Sequence, residues 1–312
     1  MENGRLEMRS MVESDRDALA ELIHRSTNAW YRANRGHDIF GGPVSDCRIF
    51  PDTYRAVDNH AGIVVVDTDS GNLVGSCFLH PRPTHIGVGI VNVAPEAFGR
   101  GVARRMIEEV CRLADETGRP IRLVSSAMNL DSYSLYTRAG FVPRALHQDM
   151  MVPVPEGGLP TARPVSSLRI RPAVPDEVEA LATFEQRVAG IRRDVDLAHW
   201  ISNPTGIWRV WVAETASGDL CGWLACSDHD ASRIAGPGAM DGEATAAALV
   251  WTALDALRGK SALVLVPSQQ QGLVRAVADW GGRNVELHVQ QVRGSWTPVD
   301  GVHLASFLPE SG

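Results

Sequence analysis

The stretch IVNVAPEAFGRGVARRMI, Ile90 to Ile107, decides how the rest of the chain is read. It opens as a strand, stops at Ala94-Pro95, passes through a loop with Gly99 and Gly101, and enters a helix. A strand-loop-helix of this kind turns several backbone N–H groups, and the positive end of the helix dipole, toward one point. Glycine lets that backbone curl around an oxyanion without a Cβ in the way. A pyrophosphate suits such a cradle, although a two-glycine turn before a helix is also an ordinary connection. The helix reads from about Gly99 to Thr117, with Ala103, Met106, Ile107, Val110 and Ala114 on one face and Gly118 as its stop.

Upstream, a strand is expected over Leu6–Met11 and a helix from Ser14, where Ser14 and Asp17 make a start signal. Strands at Ala61–Asp67 and Leu73–His80 flank the turn Asp69-Ser70-Gly71-Asn72, and a third covers Ile86–Val93. Downstream come a strand at Ile121–Ser126, a short helix at Ser132–Ala139, and strands at Phe141–Pro143 and Gln148–Val152. A linker follows over 153–167, where Pro153, Pro155, Pro160 and Pro164 with Gly157 and Gly158 read as extended chain. Residues 168–312 then repeat the order: strand Leu168–Pro172, helix Asp176–Val188, strands Trp208–Glu214 and Leu220–Ser227, a strand near Arg233–Ala235, helix Glu243–Leu257, strand Ala262–Pro267, helix Gly272–Trp280 and strand Val285–Val292. The expected architecture is a tandem duplication of one α+β unit with a mixed sheet, in domains 1–152 and 168–312. Two domains also fit 312 residues.

A second motif, NLDSYSLYTRAGFV from Asn129 to Val142, follows the glycine loop. Together the two resemble the GNAT superfamily of acyl-CoA-dependent N-acetyltransferases. Val93-x-Pro95, Gly99, Gly101 and Ala103 match the family's phosphate loop; Asn129, Leu135, Tyr136, Gly140 and Phe141 match its later motif. The resemblance covers residues 5–152. It implies that acetyl-CoA is the co-substrate and that its pantetheine arm pairs with the backbone of Ile90–Val93, so Val91, Asn92 and Val93 are binding positions. The pyrophosphate would rest on the amides of Phe98, Gly99, Arg100, Gly101, Val102 and Ala103, with Arg100 and Arg104 adding charge. Asn129 and Ser132 would meet the pantetheine at the start of the short helix; capping that helix is a second role for Asn129. Tyr136 is the matching general acid, its phenol protonating the departing sulfur.

Two departures stand out. Phe98 replaces the Arg or Gln common ahead of the first glycine. No carboxylate occurs between Asp69 and Glu96, so the Glu that serves many relatives as base, expected near Gly87, is missing. His80 and His85, bracketing a hairpin tip, are the first candidates for the base because imidazole titrates near neutral pH. Asp149, His147 and solvent water are further options.

In the second half the corresponding junction reads RIAGPGAMDGEATAAAL. Pro237 removes a donor, and Asp241 and Glu243 put negative charge where a phosphate would bind. No Asn…Leu-Tyr…Gly-Phe pattern follows. This half is expected to be degenerate, serving structure or the acceptor site, with Trp208, Trp211, Trp223, Trp251 and Trp280 mostly filling its core.

The net charge of −7 and the absence of a basic stripe argue against a nucleic-acid partner, and Lys260 is the one lysine among 30 basic residues. Five cysteines without C-x-x-C spacing give neither a disulfide framework nor a metal site. A charged start without an apolar core, and no long apolar run, point to a cytoplasmic protein without membrane contact. The expected activity is acetyl transfer to a primary amine of a small molecule by a monomer or homodimer. A protein amine as acceptor, or a non-catalytic acyl-CoA sensor, are the other readings.

Overall fold

The computed structural model describes residues 5–58, 62–164 and 167–311. Ala61, where the second strand is expected to begin, and Val165 and Ser166 of the linker lie outside them. The first half runs β1 (Leu6–Ser10), α1 (Arg16–Arg35), α2 (Ile49–Val57), β2 (Gly62–Asp67), β3 (Leu73–Pro81), β4 (Ile86–Val93), α3 (Val102–Thr117), β5 (Ile121–Ser126), α4 (Leu130–Arg138) and β6 (Val142–Pro153). The second repeats it: β7 (Arg169–Pro172), α5 (Val178–Ala189), α6 (Asp194–Ser202), β8 (Trp208–Glu214), β9 (Leu220–Ser227), β10 (Ile234–Met240), α7 (Glu243–Asp255), β11 (Ser261–Pro267), α8 (Gln271–Asp279) and β12 (Arg283–Arg293). A tail adds β13 (Val302–Leu304), β14 (Ser306–Phe307) and β15 (Glu310–Ser311).

Two helices escape the sequence reading, one per half. Pro51 disguises α2, but it falls in the first turn, where its missing N–H breaks no helical bond. In α6 the apolar residues do not follow one clear helical stripe, and only Leu197 and Trp200 among them are buried, with Asp196. The expected pair at Phe141–Pro143 and Gln148–Val152 is one strand, β6. The strand expected to stop at Ala235 continues through Gly236-Pro237-Gly238 to Met240, because that run is buried throughout.

Thirteen strands form one sheet in the order β1-β2-β3-β4-β5-β12-β6-β11-β10-β9-β8-β7, with β13 attached to β10. The halves therefore exchange their last strands. β12 is antiparallel to both β5 and β6, with His288 opposite Ser126 on one side and His147 on the other. β6 in turn pairs antiparallel with β11, Asp149 opposite Leu265. So the boundary between 1–152 and 168–312 divides the sequence but not the sheet. Part of the linker is packed as well: Val154 and Leu159 are buried, and the Val154 N–H donates to the Lys260 carbonyl at 2.8 Å.

Packing follows the same pattern. One apolar core joins Leu22, Ile23, Met106 and Ile107 of the first half to Leu181, Trp200, Trp223 and Leu308 of the second. A separate core beneath α7 holds Leu249, Leu254, Val264 and Trp280. Trp208, Trp223 and Trp280 are fully enclosed, as expected of core residues, while Trp211 and Trp251 are half-buried. Among the described residues no helix is long and apolar enough to cross a membrane.

Candidate functional site

β4 and β5 run parallel but pair only at Ile86–Ile121 and Gly87–Arg122; beyond that they splay apart. A bulge in β4, between the pairs Leu79–Val88 and Cys77–Val91, accompanies the splay. Val91, Asn92 and Val93 pair with Cys77, Ser76 and Gly75 on one side, and their other edge faces the widening slot. Asn92 takes part through its backbone, since its side-chain amide donates to Ser26 Oγ at 2.8 Å and Thr27 Oγ1 at 3.1 Å, tying β4 to α1.

The glycine loop closes the wide end of that slot. Gly99 and Gly101 have φ of 77° and 74°, left-handed values that favour glycine, and a Cβ at either would meet open space. The first helical bond of α3 is Arg105 N–H to Gly101 O at 3.0 Å. The amides of Val102, Ala103 and Arg104 precede it and point out of the helix start. The cradle is smaller than the six amides expected from sequence. Phe98 N–H donates to Pro95 O and Arg100 N–H to Ala97 O, both at 3.2 Å, which occupies two of them. The Phe98 ring is exposed. Arg100 holds Asp67 at 3.2 Å, and Arg104 reaches Glu108 at 2.7 Å on an exposed face. Such a surface pair costs little to open, so Arg104 is the freer of the two to meet an anion.

Between α3 and α4 lies a groove of about 910 Å3, lined by Arg104, Ile107, Cys111, Leu135 and Arg138 among others. Asn129 caps α4, its Oδ1 accepting from the Ser132 N–H at 3.1 Å, so both residues serve the helix start. Tyr136 is buried, its ring tilted against Phe141 with centroids 5.7 Å apart.

His80 and His85 do not stand at a solvent-facing mouth. The hairpin tip that carries them is pressed against α6 and the segment before it. Arg82 reaches Asp196 at 2.5 and 2.8 Å and Asp58 at 2.6 Å, and Arg192 N–H donates to Thr84 Oγ1 at 2.9 Å. Burial would raise the Asp196 carboxyl, but the Arg82 guanidinium outweighs it and holds it below the usual range. His80 is enclosed with Nδ1 3.2 Å from Asp58, and burial pushes its pKa down. His85 is pushed well down, by burial first and then by Arg122, Arg193 and Arg82. A base needs a proton affinity near the working pH and access to the amine; the environment of His85 opposes both. This pair belongs to the junction between the halves.

Two groups that the sequence reading missed lie nearer the slot. Tyr54, on α2, stacks on Phe78 and His80, and its ring fills the space above Gly89 in the β4 bulge, where a Cβ would lie 2.7 Å from it. The strand exchange also brings Glu286 and His288 beside the end of β5. Glu286 accepts from Tyr31 Oη at 2.5 Å and from Ser126 Oγ, and His288 Nδ1 lies 2.8 Å from Asp149.

In the second half the equivalent slot is occupied by the protein itself. β10 and β11 are parallel only at Ile234–Leu263, and β13 fills the opening, pairing with Gly238, Ala239 and Met240. At its end the Glu243 carboxylate accepts the Leu273 N–H at 2.7 Å. Both acids expected to oppose a phosphate are engaged within the fold, Glu243 near the start of α8 and Asp241 accepting from Thr245 Oγ1 at 2.7 Å.

Comparison with known proteins agrees with this geometry. Residues 25–141 match the acetyltransferase (GNAT) family. A candidate acetyltransferase from Pyrococcus horikoshii superposes with a TM-score of 0.74 at 13% identity, covering 100% of this chain and 99% of that one. A GCN5-related N-acetyltransferase from Sphaerobacter thermophilus gives 0.65 at 15%, covering 95% and 98%. A tandem GNAT protein from the clavulanic acid biosynthesis pathway gives 0.62 at 15%, covering 92% and 98%. At these identities the likeness is one of fold. None of the curated proteins matches the sequence.

Proposed function

We propose that this chain, a GNAT protein by the match of its first half and a tandem of that fold by its architecture, transfers the acetyl group of acetyl-CoA to a primary amine of a small molecule. The observation that carries the reading is the contrast between two equivalent slots. The β10–β11 slot is laddered by β13, whereas among the described residues no strand ladders onto the β4 edge over Val91–Val93, which ends on the helix-start amides, and β15 packs against β4 and β5 without pairing to either.

In this reading the pantetheine of acetyl-CoA adds to the β4 edge, its pyrophosphate rests on the amides of Gly101 to Arg104, and the nucleotide end follows the groove toward Arg138. The amine attacks the thioester carbon, the C–S bond breaks, and Tyr136 gives its phenolic proton to the leaving sulfur. Of the two protons the ammonium nitrogen loses, solvent takes one and the other restores Tyr136. A small acceptor is favoured because β12 and the tail crowd the opposite face of the slot, with Phe307 packed on His288 at 4.7 Å. The test is thiol release from acetyl-CoA across a panel of small amines and a lysine peptide. Amine-dependent release with small molecules supports the reading. Stoichiometric acetyl-CoA binding without amine-dependent release makes the chain an acyl-CoA-binding protein instead.

A further inference from the structure

The first half has no carboxylate on β4 to receive an amine, yet the strand exchange gathers acids at the edge of the same slot. His288 is opposite both Ser126 and His147, and Glu286 opposite Asp149. Residues directly opposite in antiparallel strands share a face, so Ser126, His147, Asp149, Glu286 and His288 point to one side of the sheet. Tyr31, from the end of α1, reaches onto that side and donates to Glu286. The oxygens of Asp149 and Glu286 and a ring nitrogen of His288 all lie within 4.8 Å of one another. Ser126 ends β5, the strand that forms one wall of the slot, and β15 packs against both β4 and β5. The cluster thus borders the slot on the face opposite the α3–α4 groove.

Its internal bonding is incomplete. Asp149 is 2% exposed, and among the described residues its Oδ1 has no hydrogen-bond partner. A buried carboxylate oxygen without a donor is costly unless something else supplies one. The neighbouring hydroxyls are already directed elsewhere, Tyr31 and Ser126 to Glu286, and His288 Nδ1 lies 2.8 Å from the other oxygen of Asp149 without meeting hydrogen-bond geometry. His147 beside them is held neutral by burial, and His303 faces Glu185. Among the described residues the cation beside the cluster is Arg35 of α1, whose guanidinium donates to the Val285 carbonyl at 2.8 Å rather than to either carboxylate. Glu286, 7% exposed, is the more accessible of the two acids.

We propose that Glu286 and Asp149 form an ammonium subsite, so the acceptor is a cationic amine and the second half supplies, through β12, the acid that β4 of the first half lacks. An ammonium has three donors and meets both carboxylates, which leaves Tyr31 and Ser126 to orient Glu286. The inference rests on the acetyl-transfer reading and specifies its substrate class.

The experiment compares 1,4-diaminobutane with a neutral aromatic amine in the wild type and in Glu286→Gln and Asp149→Asn. The wild type is expected to favour the diamine. Either substitution should raise KM for the diamine about 10- to 100-fold, the loss of one charged hydrogen bond or two, while KM for acetyl-CoA and turnover of the aromatic amine hold. Glu286→Asp should restore part of the diamine preference. Where a variant fails to fold, calorimetric titration of diaminobutane into the wild type decides: binding that weakens with added salt supports the subsite, and no binding overturns it. Equal use of both amines by the wild type overturns it too, while leaving acetyl transfer intact. Tight binding of zinc alone, lost in His288→Ala, would make the cluster a metal site and overturn the subsite. If no amine is acetylated although acetyl-CoA binds, it is the transfer reading that falls, and the subsite falls with it.

Discussion

Gly101 and Gly118 offer a matched pair of substitutions that separates folding from cofactor binding. Both are left-handed, with φ of 74° and 65°, one at the start of α3 and the other at its end, and an added Cβ meets nothing within 4 Å at either. Alanine at each pays the same local conformational cost, about 1–2 kcal/mol. In a chain this long that lowers Tm by about 2–4 °C per kcal/mol. Only Gly101 adjoins the outward amides at the start of α3. If those amides take the pyrophosphate, Gly101→Ala also forfeits a charged backbone hydrogen bond worth about 1.5–3 kcal/mol. Acetyl-CoA affinity should then fall about 10- to 150-fold. Thermal unfolding and calorimetric titration of acetyl-CoA measure the two effects separately. The reasoning is refuted if both variants lose similar stability and Gly101→Ala binds acetyl-CoA as tightly as the wild type.

Four further outcomes follow from the same geometry. Tyr136→Phe should slow turnover at unchanged acetyl-CoA affinity, read by steady-state kinetics beside titration; unchanged turnover removes Tyr136 from the mechanism. Arg82→Ala strands Asp196, which is 1% exposed, and should cost about 3–5 kcal/mol in urea unfolding. His147 is lowered to about 3, first by burial and then by His303 and His288, so the unfolded chain takes up a proton near pH 6.5 that the native one refuses until about 3. Its contribution is complete above pH 6.5 and lost as pH falls toward 3, and His147→Gln should reduce the slope of stability against pH there by about 1.4 kcal/mol per unit. An excised fragment of residues 1–152 should fail to unfold cooperatively as a monomer, because both neighbours of β6 come from the second half; chromatography and thermal melting check it.

How much of this was legible depended on whether the determining contacts were local. The loop over Gly99 and Gly101 and the helix stop at Gly118 are written in residues that need a special backbone, so they could be read directly. The repeat was visible for the same reason, in turns such as Asp69-Ser70-Gly71-Asn72. His80 and His85 misled because a hairpin tip is normally exposed; what buries this one is Asp196, more than a hundred residues away in sequence. Glu286 gave no signal, since nothing in VELHV says that the strand carrying it will lie beside β5. Strand partners are set by which edges remain free after local folding, and that is a property of the whole chain.

The exchange also explains why a half with a closed slot is kept. β5 and β6 are both antiparallel to β12, hence parallel to each other, and β12 lies between them and joins them into one sheet. The first half has no strand of its own to put there. β12 then lies against the far edge of β5, one strand from the β4–β5 slot, whether or not the second half binds anything. β13 can then fill the slot between β10 and β11, and the tail beyond it packs on β4 and β5. The second half contributes in this way the strand between β5 and β6, and the acids at positions 149 and 286 come to face each other only because each half has lent the other a strand.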